Sequence, residues 1–200
     1  MPGRFSARSL RRLALLLLFP ALSGCATLQG LFALQQVDFS LDRVAQVRIA
    51  GVEVERIHRY EDLGAADAAR VLQAVAARQM PLSLTLHVSA DNPADNPQAQ
   101  LMEMDWTLLL EDRETVSGDL GEAVRIPSGE RVDIPLQVQL DLLEFFDGGA
   151  RELVNLALGL AGREGHATDL TLRATPTVDT PLGPIRYPRP LTLVRQEVGG

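Results

Sequence analysis

Alternation of apolar and polar residues with a period of two recurs along this chain, and it restricts the fold more than any other feature. Leu82, Leu84, Leu86 and Val88 alternate with Ser83, Thr85, His87 and Ser89. Met102, Met104, Trp106, Leu108 and Leu110 alternate with Glu103, Asp105 and Thr107, failing only at Leu109. Val132, Ile134, Leu136, Val138 and Leu140 alternate with Asp133, Pro135, Gln137 and Gln139, and Leu170, Leu172 and Ala174 alternate with Asp169, Thr171 and Arg173. Successive strand side chains point to opposite faces, so each stretch predicts a strand with one buried row and one wet row. Val37 to Ile57 is also strand-like, but Val37, Phe39 and Leu41 lose register at Asp42-Arg43 before Val47 and Ile49 resume, which predicts a bulge near Asp42.

Turn signals punctuate these stretches: Asp91-Asn92-Pro93 through Asn96-Pro97, Ser117-Gly118, Pro127-Ser128-Gly129 and Pro181-Leu182-Gly183-Pro184. Two segments have helical period instead. Ala68, Val71, Leu72, Val75 and Ala76 form one stripe, with Asp62 or Asp67 as the expected cap and Met80-Pro81 as the stop. Leu153, Leu156, Ala157 and Leu160 form another within Glu144 to Leu160, with Asp147 as cap and Gly162 as terminator. Each stripe is read as a core contact. Several strands without a βαβ rhythm predict a mainly β fold, an antiparallel β-sandwich with one or two short helices.

Ahead of the strands stands a different kind of sequence. Residues 1–24 carry Arg4, Arg8, Arg11 and Arg12 and no acid, then the apolar run from Leu13 to Leu22 broken by Pro20. A charged region followed by a short apolar one is the layout of an export signal, and the run falls short of the roughly 20 apolar residues of a spanning helix. It meets Leu22-Ser23-Gly24-Cys25, which resembles a bacterial lipobox. That resemblance implies a diacylglycerol on the Cys25 thiol, cleavage just before Cys25, and an acylated new amine. Ala26 follows, where Asp tends to mark inner-membrane retention in Gram-negative lipoproteins, so the implied address is the outer membrane facing the periplasm. The expected organisation is a signal peptide at 1–24, a lipidated tether at 25–36 and a β domain at 37–197.

Composition adds exclusions. The chain has 26 acidic residues against 19 basic ones, all arginine, for a formal charge of -7. Without the four signal arginines, 15 basic residues face the 26 acids and the charge deepens to -11. Such a balance disfavours nucleic acid as partner and repels anionic lipid, so the lipid itself must hold the protein at a membrane. Cys25 is the one cysteine, so neither an internal disulfide nor a cysteine metal cage can form.

The chemistry-bearing residues are sparse. His58, His87 and His166 lack a second histidine at i+2 or i+4 and read as solvated surface side chains, with no metal site expected. Ser117 and Ser128 fall in turn signals without a nucleophile-elbow frame, and the Gly148-Gly149 and Gly159 to Gly162 stretches lack the strand-before, helix-after setting of a phosphate loop. Asp91 and Asp95 could begin a calcium loop, but Met102 stands where an EF-hand needs its bidentate Glu. Arg186, Arg189 and Arg195, interleaved with Tyr187 and prolines, read as protection of a sheet edge. No catalytic constellation and no cofactor is expected.

A helix ending at Met80-Pro81-Leu82, a strand running into an Asn-Pro turn, a Trp106-bearing strand, and Ile126-Pro127-Ser128-Gly129 leading into Val132 to Leu140 together resemble the late embryogenesis abundant type-2 family, or WHy domain. The likeness runs from about Val37 to Glu197. It implies an immunoglobulin-like or fibronectin-III-like sandwich, no catalytic residues, and a role in protection during water or envelope stress. In place of the family's Asn-Pro-Asn turn this chain has Asn92-Pro93-Ala94-Asp95-Asn96-Pro97, two Asn-Pro pairs apart. The alternative reading is an adaptor that holds an envelope lipid or protein in transport or assembly.

Overall fold

The structure is a computed structural model and describes residues 33–163, 165–178 and 183–199. The expected signal segment, the lipobox-like stretch at Cys25, most of the expected tether and the Pro181-Leu182 half of the last turn signal lie outside the described residues. Among the described residues ten strands form two antiparallel sheets, and the fold is a mainly β sandwich with short α-helices.

The strands are β1 (Asp38–Ile49), β2 (Val52–Glu53), β3 (Pro81–Asp91), β4 (Ala99–Leu110), β5 (Arg113–Asp119), β6 (Val124–Ile126), β7 (Arg131–Asp141), β8 (Thr168–Val178), β9 (Ile185–Arg186) and β10 (Leu191–Val198). One sheet has the order β2-β1-β3-β7, and the other β10-β8-β4-β5, with β6 continuing beside β4 and β9 beside β8. Helix α1 (Ala65–Ala76) precedes β3, and α2 (Ala150–Leu160) links β7 to β8. Both helices therefore sit at the end of the sandwich where β3 and β8 begin. The Asn-Pro loop, the Pro127 turn and the point where the chain enters at Ala33 occupy the opposite end.

The alternating rows are the core. Leu82, Leu84, Leu86 and Val88 on β3 face Leu101, Met104, Trp106, Leu108 and Leu110 on β4, all buried. Ile134, Leu136, Val138 and Leu140 on β7 and Leu170, Leu172 and Ala174 on β8 complete the layer. The β3–β7 pairing runs eleven residues without a break, so two strands with matching period stay in phase throughout. Strand β1 bulges between Leu41 and Arg43 as its register predicts, and again between Ala45 and Arg48, where Gln46 takes φ +55°.

Local expectations are corrected at several points. Met102 is half-exposed, because a bulge between Leu101 and Glu103 turns Leu101 inward beside Met104. Ser117-Gly118 lies inside β5 and is no turn; the chain reverses at Glu111 and Asp112, both with positive φ. Gly118 sits opposite Trp106 in the sheet, and a Cβ there would lie 2.8 Å from the indole Cε2. The glycine leaves room for the ring to cover the β4–β5 edge.

Helix α1 is capped by the backbone at Gly64, not by Asp62 or Asp67. Asp62 instead accepts the backbone N–H groups of His58 and Arg59 one turn earlier, each at 3.2 Å. The His58 bond is the chief reason that its carboxyl sits below the usual aspartate range. Val71 is the fully buried residue of α1, whereas Leu72 is 56% exposed, so the stripe is narrower than its sequence period suggests. In α2 the cap is Gly149, not Asp147, and Gly162 ends the helix with φ +71° as expected. Leu153, Ala157 and Leu160 are buried against the sandwich end, and Leu156 is half-buried.

Candidate functional site: an apolar cleft where the chain enters the fold

The Asn-Pro loop is wired by buried side-chain hydrogen bonds. Asn92 and Asn96 are each only 1% exposed. Asn92 Nδ2 donates to the carbonyls of Pro97 (3.1 Å) and Ile126 (3.0 Å), and its Oδ1 accepts from Asn96 Nδ2 at 2.6 Å. Asn96 Nδ2 also donates to the Ala33 carbonyl at 2.8 Å. Proline removes a backbone donor and presets φ, while the asparagine side chains supply the hydrogen bonds that the loop backbone cannot make for itself. The paired Asn-Pro units thus serve two tasks: Asn92 ties β3 to the strand before β7, and Asn96 holds the incoming chain.

Ala33 and Leu34, which the sequence organisation assigns to the tether, are 2% and 3% exposed. Val37 is buried beside them, and Gln35 bonds the phenol of Tyr187, itself 7% exposed. Burial pushes the Tyr187 pKa up, and the bond to Gln35 pulls it the other way. Packing therefore begins at least four residues before the expected start of the domain. Periodicity carries no signal for this docking, since Ala33 to Gln36 is four residues, about one helical turn, too short for a repeat to show.

Docking of this segment builds one wall of a cleft of about 330 Å³ between the sheets. Leu34, Val37 and Phe39 form that wall, Leu191 and Leu193 of β10 the other, and Met104 with Leu101 the floor. Strands β1 and β10 approach each other without pairing, so this side of the sandwich stays open at the end where the chain enters. Asp38 is the charged residue in the lining, and no cation stands there among the described residues. Farther along the same seam the lining turns polar, with Asp42, Arg43, Gln196 and Glu197.

The other residues singled out in the sequence are scattered. His58 is exposed, and His166 lies half-buried beyond α2. His87 departs from the solvated expectation: its side chain is 17% exposed, covered on the outer face of the first sheet by Asp133 and Arg43. Its Nδ1 lies 2.8 Å from Asp133 Oδ2 and 3.1 Å from Arg43 Nη2, so a protonated Nδ1 donates to Asp133 and a bare one accepts from Arg43. Ser89 shares this face, but its buried hydroxyl has no partner, so Ser89, His87 and Asp133 do not form a nucleophile and base.

Asp91 is engaged with Arg131 at 2.7 Å, and Asp95 stays at the surface. Among the described residues no three His, Cys, Asp or Glu side chains are grouped to hold a metal ion. Ser128 donates to the Ala94 carbonyl across the loop, and Ser117 pairs with Thr107 across β4 and β5. Of the three arginines near the C-terminal strands, Arg186 on β9 is ion-paired with Asp105, Arg195 lies on the edge strand β10, and Arg189 is exposed beside buried Tyr187. No helix among the described residues is long and apolar enough to cross a membrane.

The chain is thus an antiparallel sandwich with an apolar cleft at one end. No family model matches it, and no curated protein matches it. Among solved structures it is similar to a candidate late embryogenesis abundant (LEA) protein, with 13% identity and TM-score 0.41 over 99% of this chain and 93% of the other. It is also similar to a protein from Archaeoglobus fulgidus (11% identity, TM-score 0.35, covering 60% and 86%). A protein from Arabidopsis thaliana matches at 17% identity and TM-score 0.37, covering 60% and 70%. Likeness at this level assigns neither a family nor an activity.

Proposed function

We propose that this chain is a non-enzymatic lipoprotein of the bacterial envelope, a late embryogenesis abundant type-2 (WHy-like) sandwich anchored through lipid on Cys25 and directed to the periplasmic face of the outer membrane. The observation that carries this reading is the order of parts: an Arg-rich apolar signal, Leu22-Ser23-Gly24-Cys25, and then, eight residues on, a β-sandwich whose incoming chain is pinned at Ala33. Two or three acyl chains give a stable anchor where one would not. The acidic mature chain adds no electrostatic attraction of its own to an anionic surface.

Its role is to bind or shield envelope components during water loss. A deletion strain is expected to lose viability on drying and osmotic shock, with rescue by the plasmid-borne gene. Survival equal to the parent would remove the stress role and leave the anchored module.

A second reading, an adaptor for envelope lipid or protein transport, is favoured by the cleft at Leu34, Met104 and Leu193. The surface elsewhere offers it little: Leu72 is the one large hydrophobic side chain exposed among the described residues. An apolar ligand copurifying with the protein and lost on narrowing the cleft would favour this second reading.

A further inference from the structure

We propose that the cleft between the incoming chain and β10 holds one alkyl chain of the lipid carried on Cys25. The inference rests on the anchoring reading above and adds an occupant that the reading itself does not require.

Three observations point to it. The first is chemistry. The floor and most of the walls are hydrocarbon and thioether, from Leu34, Met104, Leu191 and Leu193, with Gln35 and Thr192 as the neutral polar part of the lining, so an apolar group recovers the most free energy by filling them. The charged group in the lining is Asp38, and no described lining residue is cationic. A free fatty acid would bring its carboxylate beside that aspartate, whereas an ester- or amide-linked chain ends in a neutral group. Chains on a lipidated cysteine are linked in that way.

The second observation is size. A volume of about 330 Å³ lies at the lower end of the range for small-molecule sites, which suits a single chain and not a whole two-chain lipid. The polar stretch of the seam at Asp42, Arg43 and Glu197 ends the apolar length. With one chain taken up, a triacylated anchor still leaves two in the bilayer, the number that stable anchoring needs.

The third is connection. The cleft wall begins at Leu34, and Ala33 is fixed by Asn96, so the lipid attachment point is only eight residues away. At roughly 3.5 Å per extended residue, Cys25 lies at most about 28 Å from Ala33. A ligand held on so short a tether reaches the cleft at an effective concentration that a free lipid must match from outside.

The test uses cells fed palmitate with a diazirine at the chain terminus. The full-length lipoprotein is irradiated in its membranes and its peptides are mapped by mass spectrometry. The expected product is a crosslink joining the lipidated Cys25 peptide to a peptide containing Met104 or Leu191 to Leu193. Leu193→Trp and, separately, Leu191→Trp should each lower that product severalfold while the mass of the lipidated Cys25 peptide stays unchanged. A lipidated Cys25 with crosslinks to phospholipid or other proteins, and none to the cleft, overturns the proposal. A cleft peptide carrying the mass of a phospholipid overturns the choice of occupant in favour of a bilayer lipid. A Cys25 peptide without lipid overturns the anchoring reading, and this occupant with it.

Discussion

Replacing Asn92 by alanine is expected to destabilise the protein by about 3–5 kcal/mol, because a buried donor or acceptor left without its partner costs roughly 1–3 kcal/mol each. Three groups lose a partner at once. The Pro97 and Ile126 carbonyls lose Nδ2, and Asn96 Nδ2 loses the Asn92 Oδ1 that it donates to. The site is 1% exposed, so water cannot step in without opening the loop. For a domain of this size each kcal/mol moves the midpoint by roughly 2–4 °C, which predicts a fall of about 6–20 °C in thermal unfolding. Asn96→Ala should cost less than half as much. It frees the Ala33 carbonyl and Asn92 Oδ1, but it also removes an Oδ1 that has no partner in the native structure. Equal losses at the two positions would contradict the division of labour drawn here, in which Asn92 ties the sheets and Asn96 holds the incoming chain.

Gly159→Ala is the second large effect, and its sign decides between two physical arguments. Gly159 lies within α2, where helix propensity alone favours alanine over glycine by about 1 kcal/mol. The surroundings oppose it. A Cβ at this position would overlap the carbonyl oxygen of His166 and the hydroxyl of Thr168, with the His166 carbonyl carbon at 3.1 Å. A long flexible side chain could move aside, but this obstacle is backbone. His166 N–H is bonded to the Gly199 carbonyl at 3.3 Å, and Thr168 is paired with Val198 at the start of β8. Overpacking against a fixed backbone costs about 1–3 kcal/mol, occasionally more, and here the high end applies. The net expectation is a loss of roughly 2 kcal/mol and a lower midpoint in thermal unfolding. An unchanged or higher midpoint would show that the α2–β8 connection yields freely.

Strands and their faces were legible because burial on one side of a sheet writes itself as period two. Leu82 to Val88 and Val132 to Leu140 read correctly as inward apolar rows on paired strands, although Thr85 and Ser89, expected on the wet face, are buried and Val132 is half-buried. The bulge at Asp42 was legible for the same reason, as a break in phase. Period reports which face a residue occupies and says nothing of what lies across from it. Gly118 therefore read as a turn, although it is a strand residue whose missing Cβ makes room for Trp106 on the neighbouring strand. Leu72 fits a helical stripe, but α1 packs chiefly against α2 and β2, so the stripe is wider than the surface available to bury it.

The cleft was still less visible in advance. Its walls come from residues 34–39 and 191–193, more than 150 positions apart, and its floor from β4. The link that creates it, Asn96 to Ala33, joins a turn signal to a stretch with no pattern of its own. His87 shows the same limit, since the alternation places it on the outer face and cannot show that Arg43 and Asp133 fold over it there. The resemblance of Leu22-Ser23-Gly24-Cys25 to a lipobox is of another kind: it rests on residue order alone, and the lipid on Cys25 that it implies is a proposal to be tested by labelling.

Whether lipid on Cys25 holds this sandwich at a membrane is decided by a labelling and fractionation experiment. Cells expressing the chain or its Cys25→Ala variant are labelled with radioactive palmitate and separated into membrane and soluble fractions. Label is expected on the unaltered protein, with its band in the outer-membrane fraction. No label is expected on Cys25→Ala, which should accumulate as the uncleaved precursor or in the soluble fraction. An unlabelled parent chain, or a Cys25→Ala variant with the same label, size and membrane distribution as the parent, would contradict anchoring by lipid on Cys25.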